Sequence, residues 1–280
     1  MMSDILPVGE AIEAIVGWID ANFGWLLDGI TTVMNILVSG FQDGMAAVPP
    51  LILIVIFAVL AFLLTKKNIK IALLTLFGLL FIYLLELWSE TLLTLALVIT
   101  SAAVTLAIGI PLGILASRSS AVDMSLRPIL DLMQTMPSFV YLIPAVIFFG
   151  LGNVPGMIAT IIFAMPPAIR LTNLGIRQVP VELIEVTEAF GATGWQKLVK
   201  VQLPVAMPTI MAGVNQCIML ALSMTVIAAM IGARGLGLNV LMGIQRVDIG
   251  GGFEAGLCIV IIAIILDRIT QNVISTPHDQ

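Results

Sequence analysis

An all-α integral membrane protein, with about seven transmembrane helices behind an amphipathic N-terminal helix, is predicted by three features of this sequence. Apolar residues make up 60% of the 280 and charged residues only 10%, whereas soluble domains average about 45–50% and about 25%. The apolar residues fall in runs long enough to cross about 30 Å of hydrocarbon. The basic residues gather in alternate loops. With a mean hydropathy of +1.13, a soluble helical protein would expose too much apolar surface to stay monodisperse.

The N-terminal segment comprises residues 1–45. Ile12, Ile15, Val16, Ile19, Phe23, Leu26, Leu27, Ile30, Met34, Leu37 and Phe41 recur at helical spacing, while Glu10, Glu13, Asp20 and Asp28 share another face. This pattern predicts an amphipathic helix, broken near Gly24, on the outer membrane surface or on the bundle. Its acidic face has no attraction for anionic lipid, which favours packing on its own protein. No basic n-region is present, so a secretory signal peptide is not expected.

Seven apolar stretches follow, at about Val48–Thr65, Ile69–Leu87, Thr91–Ala116, Ile129–Gly150, Val154–Leu174, Val205–Ile231 and Phe253–Thr270. The fifth is interrupted by Pro166-Pro167, which a bundle can tolerate when neighbours satisfy the freed backbone groups. With the N-terminus outside, ten basic residues (Lys66, Lys67, Lys70, Arg118, Arg127, Arg170, Arg177, Lys197, Lys200 and Arg268) lie on the inner side, against Arg234 and Arg246 outside. The positive-inside rule therefore predicts N-out and C-in. No flexible interdomain linker and no clear internal repeat interrupts this plan. Residues 46–90 form two helices ahead of the remaining spans, and 273–280 form a polar tail.

Several chemistries have nothing to work with. Cys217 and Cys258 stand alone in apolar stretches and read as small buried residues. The one histidine, His278, belongs to the polar tail. No metal site is expected, and no dense basic face suits nucleic acid. None of the five lysines follows a glycine, so a G-x-x-x-x-G-K-[ST] phosphate-binding loop is missing.

The long inner loop, about Gly175 to Pro204, carries the most information. Pro180 suits the first turn of a helix. Glu182, Glu185 and Glu188 favour the N-terminal end, with Lys197 and Lys200 at the far end of the loop. Leu183, Val186 and Phe190 form one apolar stripe, and Gly191 and Gly194 are predicted to break the helix. On these residues alone, the stripe either packs beneath the bundle or docks a partner. In the spans, Gln134, Met136, Pro137, Ser138 and Tyr141 of the fourth, and Asn215, Gln216 and Ser223 of the sixth, could kink helices and line a gate. Interhelical hydrogen bonding and packing are the more frequent use of such groups. Gly109 and Gly113 spell G-x-x-x-G, a close-packing signal common by chance. The outer GARGLG segment, Gly232–Gly237, follows a span and is no dinucleotide fingerprint; a hinge touching an external protein is the reading offered for it.

Glu185, Gly191, Val201, Leu203 and Pro204 reproduce the spacing E-A-A, three residues, G, nine residues, I-x-L-P, with Val186 and Thr187 in place of the two alanines. This resembles the signature of permease subunits of bacterial ATP-binding-cassette importers. PILDLMQTMPSFVYLIP (Pro128–Pro144), IFAMPPAIRL (Ile162–Leu171), KVQLPVAMPTIMAGVNQCIMLALSM (Lys200–Met224) and LDRITQN (Leu266–Asn272) resemble permeases of glycine betaine/proline betaine importers. The likeness spans about Thr91 to Asn272, and choline or carnitine stays open as substrate. It implies a type I importer-like fold with a core domain at 91–272. It also implies a coupling helix that fits a groove on an ATPase, with Glu182, Leu183, Glu185, Val186, Thr187, Glu188, Ala189, Phe190, Gly191, Ala192, Val201, Leu203 and Pro204 at that contact. The implied partners are a second copy of this chain, two cytoplasmic ATPase subunits that bind ATP and Mg, and an external substrate-binding protein, all amid membrane lipid. The chain itself is expected to be non-catalytic and without cofactor. A secondary transporter is disfavoured because Asp131, Arg170, Asp267, Arg268, Glu86 and Glu90 lie near span ends and no acid sits near a span centre. A channel lacks a filter, and an intramembrane protease lacks its Ser/His or Asp pair.

Overall fold

The computed structural model of the chain describes residues 8–274, with side chains over residues 13–272. Its helices are α1 (Val8–Ala46), α2 (Pro50–Leu64), α3 (Ile69–Leu84), α4 (Trp88–Arg118), α5 (Ser120–Thr135), α6 (Leu142–Phe149), α7 (Asn153–Arg177), α8 (Val181–Ala189), α9 (Gly194–Lys197), α10 (Leu203–Ala229), α11 (Leu236–Arg246) and α12 (Ile249–Ile274). A 3-10 turn at Ser138–Tyr141 precedes α6, and a π turn at Leu198–Gln202 joins α9 to α10. No strand occurs among the described residues, and the all-α membrane class is as the composition predicts.

Among the described residues, five helical stretches are long and apolar enough to cross a membrane: Glu13–Ala46, Trp88–Arg118, Asn153–Arg177, Gly194–Ala229 and Ile249–Asn272. Four of these are expected spans; the first is the N-terminal helix. Contrary to the expected break near Gly24, α1 is one continuous 39-residue helix. A single glycine costs a helix only about 1 kcal/mol. Met34 and Val38 of α1 pack with Ala96, Leu97, Val154, Met157 and Ile161, so its second half leans on α4 and α7. In its first half Trp18, Phe23 and Trp25 stay exposed. Glu10 and Ile12 lie outside the described side chains.

Two expected spans are short. Helices α2 and α3 hold 15 and 16 residues, about 23 Å of helix against about 30 Å of hydrocarbon. Pro50 opens α2 at its first position, and the Asn68 side chain caps α3 by accepting from Lys70 N at 3.1 Å.

The expected single span Ile129–Gly150 is an elbow instead: α5 and the Ser138–Phe149 segment meet at 109°. Met136 precedes Pro137 and adopts extended backbone, φ −70 and ψ 132, as a pre-proline residue prefers. Pro137 itself has no N–H to continue the helix. By contrast α7 runs unbroken through Pro166-Pro167. Nearby carbonyls in this helix, Ile161 O and Ala164 O, accept from Thr105 Oγ1 at 3.5 Å and Cys217 Sγ at 3.1 Å, so neighbours serve backbone groups around the proline pair. Cys217 and Cys258 are both buried and free. His278 and the end of the tail lie outside the described residues.

Helices α4, α7 and α10 form the centre of the bundle, with α7 packed most extensively on the other two. A β-carbon on Gly109 would stand 2.6 Å from Ala168 Cβ, and one on Gly113 2.6 Å from Thr172 Cβ. The G-x-x-x-G pair is therefore a true close-approach surface, letting the α4 and α7 backbones touch.

Candidate functional site

The inner loop is built as an exposed platform on a buried root. Helix α8 starts after Pro180, the position that fixed φ prepares. It ends where Gly191 turns left-handed at φ +74, with Gly191 N and Ala192 N bonding Glu188 O and Thr187 O. Gly194 does not break the helix as predicted. It is the first residue of α9, behind a capping box in which Thr193 and Gln196 satisfy each other's backbone N–H groups. The helix of the sixth span likewise starts earlier than Val205, since Gly194–Ala229 is one helical stretch. Val201 lies in the π turn and Leu203 opens α10.

Leu198 is the root, 1% exposed and packed with Ile176, Ala206 and Ile210, with Leu203 alongside. Polar ties then fix the loop. Lys197 Nζ bonds Glu188 Oε1 at 2.5 Å, and Arg118 Nη2 at the end of α4 donates to Gly194 O at 2.7 Å. Thr187 is used locally, its hydroxyl donating to Leu183 O at 2.6 Å.

The apolar stripe is left uncovered. No residue of α8 is buried; Leu183 is 42%, Val186 54% and Phe190 87% exposed. Glu182, Glu185 and Ala189 are exposed beside them, Pro204 is exposed at the start of α10, and Ala192 is half-buried. The bundle-packing alternative for this stripe is not what the structure adopts. Trp195, 68% exposed on α9, belongs to the same platform, and the sequence reasoning missed it; an aromatic in an otherwise polar turn was its signal.

The predicted gate residues divide. Met136, Pro137, Ser138 and Tyr141 form the elbow. Tyr141 is buried, donates to Met133 O, and meets the Phe163 ring edge-on at 5.9 Å. With Leu142, Ala145, Ala159 and Met224 it makes one cluster, which seats the elbow on α7 and α10. Asn215 is an interhelical tie: its amide donates to Asp267 Oδ1 at 2.9 Å and accepts from Thr270 Oγ1 at 2.6 Å. Gln134, Gln216 and Ser223 are exposed, and the Ser223 hydroxyl is taken by Met219 O of its own helix. The GARGLG segment is a tethered turn: Arg234 N donates to Asn153 Oδ1 and Leu236 N to Thr94 Oγ1, at 2.8 and 2.9 Å.

Sequence reasoning also missed a charged seam between α5 and α7. Asp123, Arg127 and Asp131 follow at four-residue steps on α5, and Arg170, Asn173 and Arg177 at three and four on α7, so each set shares a face. Asp123 Oδ2 receives Arg127 at 2.6 Å and Arg177 at 3.4 Å, while Asn173 donates to its Oδ1 at 2.8 Å. Arg177 also donates to Ala116 O at 2.9 Å, and Arg170 pairs with Asp131 at 2.5 Å. The Asp123 side chain is only 9% exposed and that of Asp131 is 67%. Asp123→Ala is therefore expected to cost about 1–3 kcal/mol by removing the buried acceptor that ties Arg127, Asn173 and Arg177 together, and Asp131→Asn about 1 kcal/mol or less. Thermal unfolding of the purified protein measures both; equal losses would refute the ranking.

Residues 109–275 match the family described as binding-protein-dependent transport system inner membrane component. The chain is 53% identical over 268 residues to the glycine betaine transport system permease protein OpuAB of Bacillus subtilis, covering 96% of this chain and 94% of that one. It is 51% identical to the glycine betaine/carnitine transport permease protein GbuB of Listeria monocytogenes, covering 95% of each. In fold it resembles the inward-facing MetNI methionine ABC transporter, with a TM-score of 0.60 at 23% identity over 68% of this chain and 96% of that one.

Proposed function

Because the chain belongs to the inner membrane components of binding-protein-dependent transport systems, we propose that it is the permease of an ATP-driven importer of glycine betaine and related quaternary amines. The observation that carries the coupling half is the uncovered α8 stripe, held rigid by Lys197, Arg118 and the Thr193 capping box. A helix presenting Leu183, Val186 and Phe190 to solvent is suited to insertion in a groove on another protein. Gly191 supports close approach, because a β-carbon there would meet nothing of this chain within 4 Å.

In this reading two copies of the chain form the pathway and two ATPase subunits dock on the two loops. ATP and Mg are held by those subunits. An external protein delivers the substrate, binding its quaternary ammonium in an aromatic cage. The N-terminus lies outside and the C-terminus inside, as the ten-to-two charge split favours. The elbow at Met136-Pro137, seated by the buried Tyr141, is placed at the gate of the pathway in this reading. Carnitine is the second reading for the substrate, supported by the 51% identity to a glycine betaine/carnitine permease.

The test is uptake of labelled glycine betaine into proteoliposomes containing the chain, with and without the ATPase and binding protein. Uptake is expected only with ATP and all subunits present. Robust uptake by this chain alone, driven by an ion gradient, would overturn the proposal. Unlabelled carnitine competing as strongly as glycine betaine would move the substrate to the second reading.

A further inference from the structure

The hairpin α2–α3 lies outside the platform and the elbow, yet it does not pack flush on the bundle. A cavity of ≈ 240 Å³ remains between it and helices α4 and α12, with a nearly wholly apolar lining that includes Leu60, Leu64, Leu79, Leu95, Ile262 and Ile269. Its floor is core: Leu79, Leu95 and Ile262 are buried with Ile54 and Ile82. Its rim is open, because Leu60 and Leu64 are 45% and 52% exposed. From Phe57 to Leu64 the cavity follows α2 for about 10 Å, a third of the hydrocarbon thickness. Gly78 holds α3 against α12 at this level, where a β-carbon would come within 2.8 Å of Ile261 Cγ2.

At the Leu64 end the chain turns through Thr65-Lys66-Lys67-Asn68. Lys66 and Lys67 both have left-handed backbone, φ +54 and +67, a conformation that a β-carbon makes costly and that glycine would adopt freely. Lysine occupies both positions all the same, and Lys70 follows within one turn. Lys67 and Lys70 are exposed. From Pro50 to Leu85 the hairpin contains no acid. An apolar slot within the membrane thus opens beneath a cluster of cations at its edge.

We propose that this slot and the lysine turn together bind one anionic phospholipid, an acyl chain lying along Leu60, Leu64 and Ile262 and the phosphate on Lys67 and Lys70. Apolar contact alone cannot choose among lipids, because every bilayer chain is equally apolar. The slot supplies position and the lysines supply choice. Each basic residue near an anionic surface is worth up to roughly fivefold in affinity, so two give a preference of up to roughly 25-fold. The occupant seals the gap between the hairpin and α4 and α12. The site depends on the membrane setting and not on what the protein carries.

The full-length protein is purified in detergent and exchanged into mixed micelles holding equal amounts of dioleoyl-phosphatidylglycerol and dioleoyl-phosphatidylcholine. Retained lipid is then counted by native mass spectrometry. The wild type is expected to hold phosphatidylglycerol roughly tenfold over phosphatidylcholine. Lys67→Gln with Lys70→Gln brings the two near parity, and Lys67→Arg with Lys70→Arg keeps the preference. Leu60→Trp, which fills the slot, lowers retention of both; Leu60→Phe serves if the larger side chain prevents a monodisperse preparation. Arg246→Gln, at the far side of the membrane, changes nothing. Equal retention of the two lipids by the wild type, or an unchanged preference in the glutamine variant, overturns the proposal. Undiminished retention in both Leu60 variants overturns the slot as the seat of the chain.

Discussion

Phe190→Ala is expected to weaken assembly with the ATPase by about 30-fold or more, and to lower ATP-driven uptake in proportion where the ATPase is limiting. An aromatic that is 87% exposed at the end of an otherwise unburied helix contributes little to its own fold. Removing it therefore leaves the bundle intact. If it is the anchor of an interface, its truncation costs about 2–4 kcal/mol, and each 1.4 kcal/mol is about tenfold. Gly191→Trp tests the same contact by obstruction and is expected to abolish uptake. A β-carbon there meets nothing of this chain, so the internal cost is confined to the left-handed backbone at φ +74, about 1–2 kcal/mol. Gly191→Ala carries that same backbone cost without the bulk and is expected to keep most activity. Co-purification of the ATPase with each variant, beside uptake at matched membrane levels, reads the difference. A well-inserted Gly191→Trp protein that transports normally would count decisively against docking at α8.

What was legible in the sequence was what depends on averages or on fixed local spacing. Long runs of apolar residues place α4, α7, α10 and α12 because crossing hydrocarbon requires length and composition alone. The loop from Pro180 to Pro204 was legible because helix, turn and apolar stripe lie within 25 residues. The elbow was hidden for the opposite reason. Apolar residues continue through Met136-Pro137, so hydropathy shows one span, while two backbone angles decide that there are two helices. Pro166-Pro167 looks like the stronger breaker, yet α7 stays continuous through it among neighbours that bond to nearby carbonyls. Proline says where a bend is cheap, and packing says whether it happens.

The charged seam was hidden by distance along the chain. Asn173 lies 50 residues from Asp123, and only the fold brings α5 against α7. The matching periodicity of Asp123, Arg127 and Asp131 with Arg170, Asn173 and Arg177 was visible, but nothing local states that the two faces meet. Helix α11 was missed because its glycines and polar residues fall below the apolar signal of the spans on either side. The N-terminal segment is helical, as its apolar spacing predicts. Its continuity through Gly24, and the seating of Met34 and Val38 on α4 and α7, required the structure.

Gly113→Val is expected to cause the largest loss of stability of any single change considered for this chain. Its β-carbon would lie 2.6 Å from Thr172 Cβ and 2.7 Å from Ile169 O, both well inside van der Waals contact. A flexible side chain can move aside, but a backbone carbonyl in the middle of α7 cannot. Helices α4 and α7 would have to separate, and with them the packing of α10, since α7 is the shared partner. Overpacking of a tight core costs about 1–3 kcal/mol, and contact with backbone places Gly113 at the upper end. Gly109→Ala meets Ala168 Cβ at 2.6 Å with no carbonyl as close, so it should cost less. Gly40→Ala and Gly44→Ala on α1, where no atom lies within 4 Å of the new carbon, are expected to be neutral or to stabilise by up to about 1 kcal/mol. Thermal unfolding in one detergent ranks the four variants. Pairing Gly113→Ala with Thr172→Gly relieves only the clash with the side chain, so its rescue should be partial. Full rescue would place the obstruction in Thr172 alone and refute the argument that the two backbones touch.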